Sequence, residues 1–401
     1  MNILMIAHYV TFPSEGGNNR FCYILDLLKK EKNNDIELIT SDFRHGTKKK
    51  HDINKKDIDK LGYKVTFIHE PMYKKNIGLK RIFSAKVLAR NTKKYLNNLS
   101  VLPDVIYCAV PSLDIAKEAA KFAKRNKIRF IIDIQDLWPE AFKMVFNVPI
   151  LSNLLFYPST QKANYIYSSA NNIIAVSETY KNRAISKKSI DKKGISVFLG
   201  TDMNKFDAYS KNNNKNTQTI KIAYIGTLGH SYDIKQVIDA IKIENKKGRN
   251  NIEFIVMGNG PLREEFEKYA LLNKINCTFT GRLAYSEMVN KLSSCDIAVN
   301  PIRKGAAQSI INKVGDYASA GLPVINTQEC KEYKSLIKKY HAGINCENNP
   351  QSIAKAIETL IEDEKEYRLM SKGNKRMAME LFDRAKTYET ITKCIMQKDI
   401  K

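Results

Sequence analysis

Residues 309–325 read SIINKVGDYASAGLPVI. Ser309 is placed to cap a helix, Ile310 to Ser319 has helix-compatible spacing, Gly321 is suited to end it, and Pro323 keeps it ended before an apolar strand at Val324–Ile325. Lys313 and Asp316 are three residues apart and share a face. Free N–H groups at a helix start suit phosphate oxygens, and a lysine one turn in adds a full charge. Asp316 would stand roughly 10 Å along the axis from Ser309 by the helical rise, where it can accept hydrogen bonds from vicinal hydroxyls such as those of a ribose. In that order the segment measures out a sugar nucleotide. The plainer alternative is a surface helix carrying an i,i+3 Lys/Asp pair.

Working outward, short β-branched runs alternate with helical patterns along most of the chain, the mark of βαβ units and parallel sheets. Strands are expected at Ile3–Ala7, Ile36–Thr40, Lys64–Ile68, Val105–Ala109, Arg129–Ile134, Asn172–Val176 and Ile195–Phe198. They resume at Lys221–Ile225, Glu253–Met257, Thr278–Phe279, Asp296–Asn300 and Val324–Ile325. Between them DAYSKNNNKNTQT, residues 207–219, has almost nothing to bury, so the boundary is placed there. The expectation is an α/β protein with two doubly wound domains, 1–208 and 209–375, whose strand C-termini face across a cleft. A terminal helix, 376–401, would pack back on the first domain.

Composition limits the partners. Over 401 residues, 66 Lys and Arg against 42 Asp and Glu leave a net charge of +24, which favours polyanions or anionic membranes. Seven cysteines without a CxxC pair and an N-terminus without signal-peptide features point to the cytoplasm. No apolar run reaches the eighteen residues that would span a bilayer. From Pro71 to Pro103 there is no acidic residue, while Lys74, Lys75, Lys80, Arg81, Lys86, Arg90, Lys93 and Lys94 surround Leu79, Ile82, Phe83 and Val87. That pattern suits a helix lying on anionic lipid, with VFNVPILSNLLFY (145–157) adding apolar contact; the alternative is a helix that buries its apolar face and leaves its lysines solvated. A nucleic-acid binder is disfavoured because few aromatics are interleaved with the charge.

Several further stretches accompany the opening one: Tyr224-Ile225-Gly226-Thr227-Leu228-Gly229, Val256-Met257-Gly258-Asn259-Gly260-Pro261-Leu262, Phe279-Thr280-Gly281-Arg282-Leu283 and Asp133-Ile134-Gln135-Asp136-Leu137-Trp138-Pro139-Glu140. Together with SIINKVGDYASAGLPVI, these resemble the retaining glycosyltransferases of family four, which have the GT-B fold. They resemble in particular the subgroup reading Ser-x-x-x-Lys-x-x-Asp/Glu-Tyr-x-x-x-Gly-x-Pro-Val found among bacterial capsule and O-antigen enzymes. The resemblance implies a nucleotide-sugar donor, expected to be UDP-linked, a polyprenyl-linked glycan acceptor, and peripheral attachment to the inner face of the cell membrane. It implies no further cofactor and no metal.

Carried over residue by residue, the donor site would comprise Gly16 and Gly17 of the first domain with Gly226, Thr227, Gly229, Gly258, Asn259, Gly260, Arg282, Arg303, Gln308, Ser309, Lys313 and Asp316. Two departures stand out. Many members carry two glutamates at the positions of Gln308 and Asp316, and the basic pair expected after Gly226 is replaced by a region holding His230 and Asp233. Neutralising the diphosphate then falls to Lys313, with Arg303 or Arg282. Asp136 stands where relatives have a His-Asp pair and is the first candidate for an acceptor-side acid/base or orienting group, with Glu140 second; alternatively it caps the helix beginning near Pro139. His8, past the first strand, is either a substrate contact or a structural histidine. Asp57-Ile58-Asp59, ringed by lysines, reads as a solvated loop rather than a cation site. A sugar-nucleotide 2-epimerase shares the fold and is the rival activity.

Overall fold

The computed structural model describes residues 1–17, 19–31, 33–76, 78–141, 149–186, 194–210, 218–306 and 309–397, apart from the side chains of 149–153. The chain forms two compact units, Met1–Val197 with Tyr388–Lys401, and Phe198–Thr387.

The first unit is built on β1 (Asn2–Ile6), β2 (Asp35–Ser41), a small antiparallel hairpin β3 (Phe43–Arg44) and β4 (Lys49–Lys50), β5 (Lys64–Ile68), β6 (Val105–Val110), β7 (Arg129–Ile134), β8 (Asn172–Ala175) and β9 (Gly194–Ser196). Apart from the hairpin these strands form one parallel sheet in the order β5-β2-β1-β6-β7-β8-β9. Strand order reverses between β1 and β6, where such sheets bind ligands. Helices cover both faces. On one side Leu25 and Leu28 of the Arg20–Leu28 helix pack with Ile3, Met5 and Ile36; on the other Ala116, Ala119, Ala120 and Ala123 of the Leu113–Asn126 helix pack with Ile106 and Ile132. The first group is completed by Tyr388, Ile391, Cys394 and Ile395, from the far end of the chain.

One ion pair is sealed inside this unit. Arg20 Nε donates to Asp133 Oδ2 at 2.7 Å, Tyr107 donates its hydroxyl proton to the same oxygen, and Arg20 Nη1 reaches the Val197 carbonyl at 3.0 Å. The pair is almost wholly removed from water, so its extra hydrogen bonds are what make its burial tolerable.

The second unit repeats the plan with β10 (Ile220–Ile225), β11 (Ile252–Met257), β12 (Cys277–Gly281), β13 (Ile297–Asn300), β14 (Val324–Asn326) and β15 (Gly343–Asn345), all parallel, in the order β12-β11-β10-β13-β14-β15. Here the switch point lies between β10 and β13. The sequence reading missed the β3–β4 hairpin and β15, each only two or three residues long.

The division falls at 197/198, not at 208/209. The Met203–Tyr209 helix follows it, and Phe206 is buried with Ile225, Val324 and Leu292 in the second unit's core. The polar stretch expected as the linker sits inside this unit, and its residues 211–217 lie outside the described ones. The terminal region is likewise not one helix from 376. The Glu364–Met377 helix passes into a π-turn at Ala378–Phe382 before the last helix, Arg384–Ile395.

Candidate functional site

The site of the second unit grows from its two glycine turns. β10 is followed at once by Gly226 (φ 136°) and β11 by Gly258 (φ 157°). A Cβ on Gly258 would stand 1.8 Å from the Gly226 carbonyl oxygen, and one on Gly260 would stand 2.3 Å from that of Leu228. The turns therefore interlock with no room for side chains, and the Gly226 N–H to Met257 and Leu228 N–H to Asn259 bonds fasten them at 3.0 Å each. In front of them opens a cavity of about 680 Å³ lined by Gly226, Thr227, Gly258, Asn259, Gly260 and Arg282, among others. Its size suits a small-molecule ligand. A larger depression, about 890 Å³, lies by β15 around Lys304, Thr327, Asn345 and Lys355, and shares no residue with it.

Lys313 lies directly behind Gly226. The helix carrying it runs only from Lys313 to Ser319, preceded by Asn312 without a side-chain cap. This corrects the expected cap at Ser309 and the helix start at Ile310: Lys313 is the first helical residue, and the axial distance from Ser309 to Asp316 has no helix to measure it. The Ser309 carbonyl instead accepts from Gln328 Nε2 at 2.6 Å, which draws this segment toward the end of β14. Ser309 Oγ is buried without a hydrogen-bond partner among the described residues. Gln308 lies outside the described residues.

Only 8% of Lys313 is exposed. Its Nζ sits 3.9 Å from the ring centroid of Tyr224 and 4.0 Å from that of Tyr232. Among the described residues it has no hydrogen-bond partner and no carboxylate. Burial pulls its pKa well below the ordinary lysine value, while the two ring faces favour the cation. An ammonium group with three unmatched donors, held against a glycine that leaves the way open, is suited to anionic oxygens.

One turn on, Asp316 Oδ1 accepts from the Tyr285 hydroxyl at 2.9 Å and from Thr201 Oγ1 at 3.2 Å. Burial raises its pKa, and those two bonds work against the rise. Oδ2 takes no hydrogen bond among the described residues. Tyr317 ties the assembly to the sheet: its hydroxyl accepts from the Ile225 N–H at 2.9 Å and donates to the Val299 carbonyl at 3.1 Å, joining β10 to β13 at the switch point.

The remaining expected residues separate. Arg282 lines the cavity, but Arg303 points to Asp233, Nε to Oδ2 3.6 Å, so a counter-charge already faces it. Gly229 is next to the turn but not in the lining. In the first unit, Gly16 (φ 76°) closes a turn at Pro13–Glu15, and Gly17 has no room for a Cβ because the Thr11 carbonyl oxygen would be 1.9 Å away.

Asp136 lies past the end of β7, and both its oxygens are used: Oδ1 by the Leu137 N–H and the Tyr180 hydroxyl, Oδ2 by Trp138 Nε1. Burial raises its pKa against these bonds. Glu140 is held in an ion pair with Arg183, 2.5 Å from its Nε. Asp57 pairs with Lys60 on a short Lys55–Asp59 helix.

Tyr224, Tyr232, Tyr285 and Thr201 were not anticipated at the site. Tyr317 carried a signal, its fixed place beside Asp316. His8 proves to be bonded on both sides, Nε2 to Glu70 and Nδ1 to Ser112 Oγ, each at 2.7 Å, across the first unit's switch point.

Comparison with known proteins follows the same lines. Residues 205–377 match the family model described as glycosyl transferases group 1. The fold is that of the GT-B glycosyltransferases, and the chain is a glycosyltransferase. Anabaena HepE, solved with UDP and glucose, is 14% identical over 99% of this chain and 100% of its own, with a TM-score of 0.68. Sucrose-phosphate synthase from Thermosynechococcus elongatus is 13% identical over 99% and 98%, TM-score 0.68. A putative UDP-N-acetylglucosamine 2-epimerase from Listeria monocytogenes is 10% identical over 100% and 97%, TM-score 0.63. At such identities the likeness is one of fold. No curated protein sequence matches the chain.

The interlocked turns make a direct prediction. Gly258→Ala should destabilise the protein by about 3 kcal/mol or more, since backbone must move to admit the methyl group. Gly229→Ala, whose Cβ would meet only Thr227 Cγ2 at 3.8 Å, should stay within about 0.5 kcal/mol of the parent. Urea unfolding of the two variants provides the check.

Proposed function

We propose that this chain is a retaining glycosyltransferase of family four that transfers a sugar from a UDP-sugar to a polyprenyl-linked glycan precursor in capsule or O-antigen synthesis. The observation that carries the reading is the Lys313 amine, buried without a counter-ion among the described residues behind a glycine that lines an open cavity. The donor diphosphate lies against Gly226 and Thr227, close enough for Lys313 to meet the charge that develops on the leaving group. Arg282 supplies a second cation from the cavity wall. Asp316 receives the ribose hydroxyls on its free Oδ2, while Tyr285 and Thr201 fix the carboxylate. Stabilising a leaving diphosphate in this way requires no strong protein nucleophile. In the first unit, Asp136 orients the acceptor through the Trp138 ring it holds.

The same reading puts the enzyme at the cytoplasmic face of the membrane. No described helix is long and apolar enough to cross a bilayer. The Leu79–Asn97 helix buries Ser84, Leu88, Ala89, Thr92 and Leu96 but leaves Leu79, Ile82 and Phe83 more than half exposed amid its lysines. Leu154 and Leu155 of the Pro149–Ser169 helix are exposed as well. Of the apolar segment 145–157, residues 145–148 lie outside the described ones. Each such side chain entering lipid is worth about 1.5–3 kcal/mol, and each neighbouring cation about 1 kcal/mol at an anionic surface.

Three outcomes check these assignments. In a thermal-shift panel of UDP-, GDP- and TDP-sugars, the UDP compounds should stabilise selectively, and Lys313→Ala and Asp316→Ala should abolish the shift while unfolding cooperatively. Release of UDP without any acceptor would favour the epimerase activity instead. Second, a bound diphosphate restores the charged form of Lys313, so binding should take up as much as about one proton at pH values between the lowered pKa and the ordinary lysine range. Calorimetry of UDP binding in buffers of differing ionisation enthalpy measures this, and Lys313→Arg, permanently charged, should show no uptake. Third, the protein should bind vesicles containing phosphatidylglycerol in a salt-sensitive manner and duplex DNA far more weakly, with Phe83→Ser lowering vesicle binding about tenfold.

A further inference from the structure

A second group of cations, without a carboxylate partner among the described residues, stands at the C-terminal edge of the first sheet; Arg81 Nη1 donates to the Asn76 carbonyl at 2.5 Å. Tyr9 follows β1, His45 lies in the β3–β4 turn, Tyr73 follows β5, Trp138 follows β7, and the Leu79–Asn97 helix delivers Arg81 among them. The Arg81 guanidinium carbon is 5.1 Å from the Trp138 ring centroid, and its Nη2 is 3.4 Å from the Tyr9 hydroxyl. Lys48 Nζ lies 4.8 Å from the Tyr73 ring centroid, 3.1 Å from His45 Nδ1 and 2.6 Å from Asn76 Oδ1. His45 in turn packs between Tyr9 and Tyr73, at centroid distances of 5.2 and 5.7 Å.

Neither Arg81 nor Lys48 has a carboxylate within ion-pair distance among the described residues. The carboxylate whose charge reaches Lys48 is Glu70, and its oxygens are already taken by His8 and Ser41 on Oε2 and by Ser84 on Oε1. The positive potential is therefore unmet, and it leaves a mark. Burial, then Lys48 and Arg81, and then His8, press the His45 pKa down to about 4, and burial followed by Arg81 lowers that of Lys48.

What adjoins this group narrows the ligand. Arg81 is flanked on its own helix by Leu79, 84% exposed, Ile82, 52%, and Phe83, 61%. Two cations against aromatic faces, beside an exposed apolar strip, match a phosphorylated head joined to a hydrocarbon chain. We infer that Arg81 and Lys48 bind the phosphate or diphosphate head of an amphiphilic lipid, with Tyr9 and Trp138 flanking the head and the chain running over Leu79, Ile82 and Phe83. Naming this lipid the acceptor rests on the glycosyl transfer proposed above; the binding site itself does not.

Trp138 is the chain's single tryptophan, so its fluorescence reports on this place alone. Titration with farnesyl diphosphate should give a saturable change, inorganic pyrophosphate a weaker one, and farnesol none. Lys48→Gln and the double variant Arg81→Gln/Lys48→Gln should weaken farnesyl diphosphate, the double variant by about tenfold or more. Phe83→Ser should weaken farnesyl diphosphate and leave pyrophosphate unchanged. A double variant that binds within about twofold of the parent, or a Trp138 signal unmoved by farnesyl diphosphate, overturns the inference. The UDP thermal shift is measured on the same proteins. If it persists in the double variant, the loss belongs to this site; if it is missing in the unaltered protein while Trp138 still responds, the donor reading fails and this one stands.

Discussion

A lysine side chain, that of Lys313, buried with no carboxylate among the described residues is the constraint around which the second unit is arranged. Burial disfavours its charged form, and the two tyrosine faces favour it. Each neighbouring choice follows from making that position tenable. Tyr224 comes from the last turn of β10, and its hydroxyl donates to the Thr227 carbonyl at 2.8 Å, so the ring cannot swing away. Residue 226 is a glycine at φ 136°, a backbone conformation that side-chain-bearing residues rarely adopt, and a Cβ there would press on Nζ at 3.0 Å. The helix start must be held against the sheet, and Tyr317 does this through one hydroxyl bonded to two strands. A group kept under this much tension, next to open space, is a pre-formed anion receptor.

The first unit treats its charges the opposite way. Arg20 and Asp133 neutralise one another within the fold, and Glu70 is surrounded by His8, Ser41 and Ser84 so completely that its pKa falls, although burial alone would raise it. Those internally paired groups are scaffold. Glu70 and its partners anchor the ends of β1, β2 and β5, and beyond them stand Arg81 and Lys48, without a carboxylate in ion-pair distance among the described residues.

Much of this was legible in the residues. Strands such as Lys64–Ile68 and Arg129–Ile134 announce themselves as β-branched runs, and the glycine turns as pairs no other residue could replace. Legibility failed where distant residues decide. Ile310–Asn312 has helical spacing, yet Gln328, nineteen positions on, binds the Ser309 carbonyl and the helix waits until Lys313. Glu140 looks like a free acid beside Asp136 until Arg183 arrives from a later helix. The tyrosine cage is composed of residues 224 and 232 around a lysine near 313, and nothing in local pattern couples them. The polar stretch near 211 resembled a linker because composition reports solvation, not which core Phe206 enters.

The first unit's inner layer is finished by Tyr388, Ile391 and Ile395, which belong to the last helix of the chain. During synthesis, therefore, nearly two hundred residues of the amino-terminal sheet emerge from the ribosome and must wait, with apolar surface uncovered, until the whole intervening unit has been made. The enzyme's maturation is in that sense closed from its tail, and a nascent chain interrupted after the second unit would carry a complete carboxyl-side fold attached to an unsealed one.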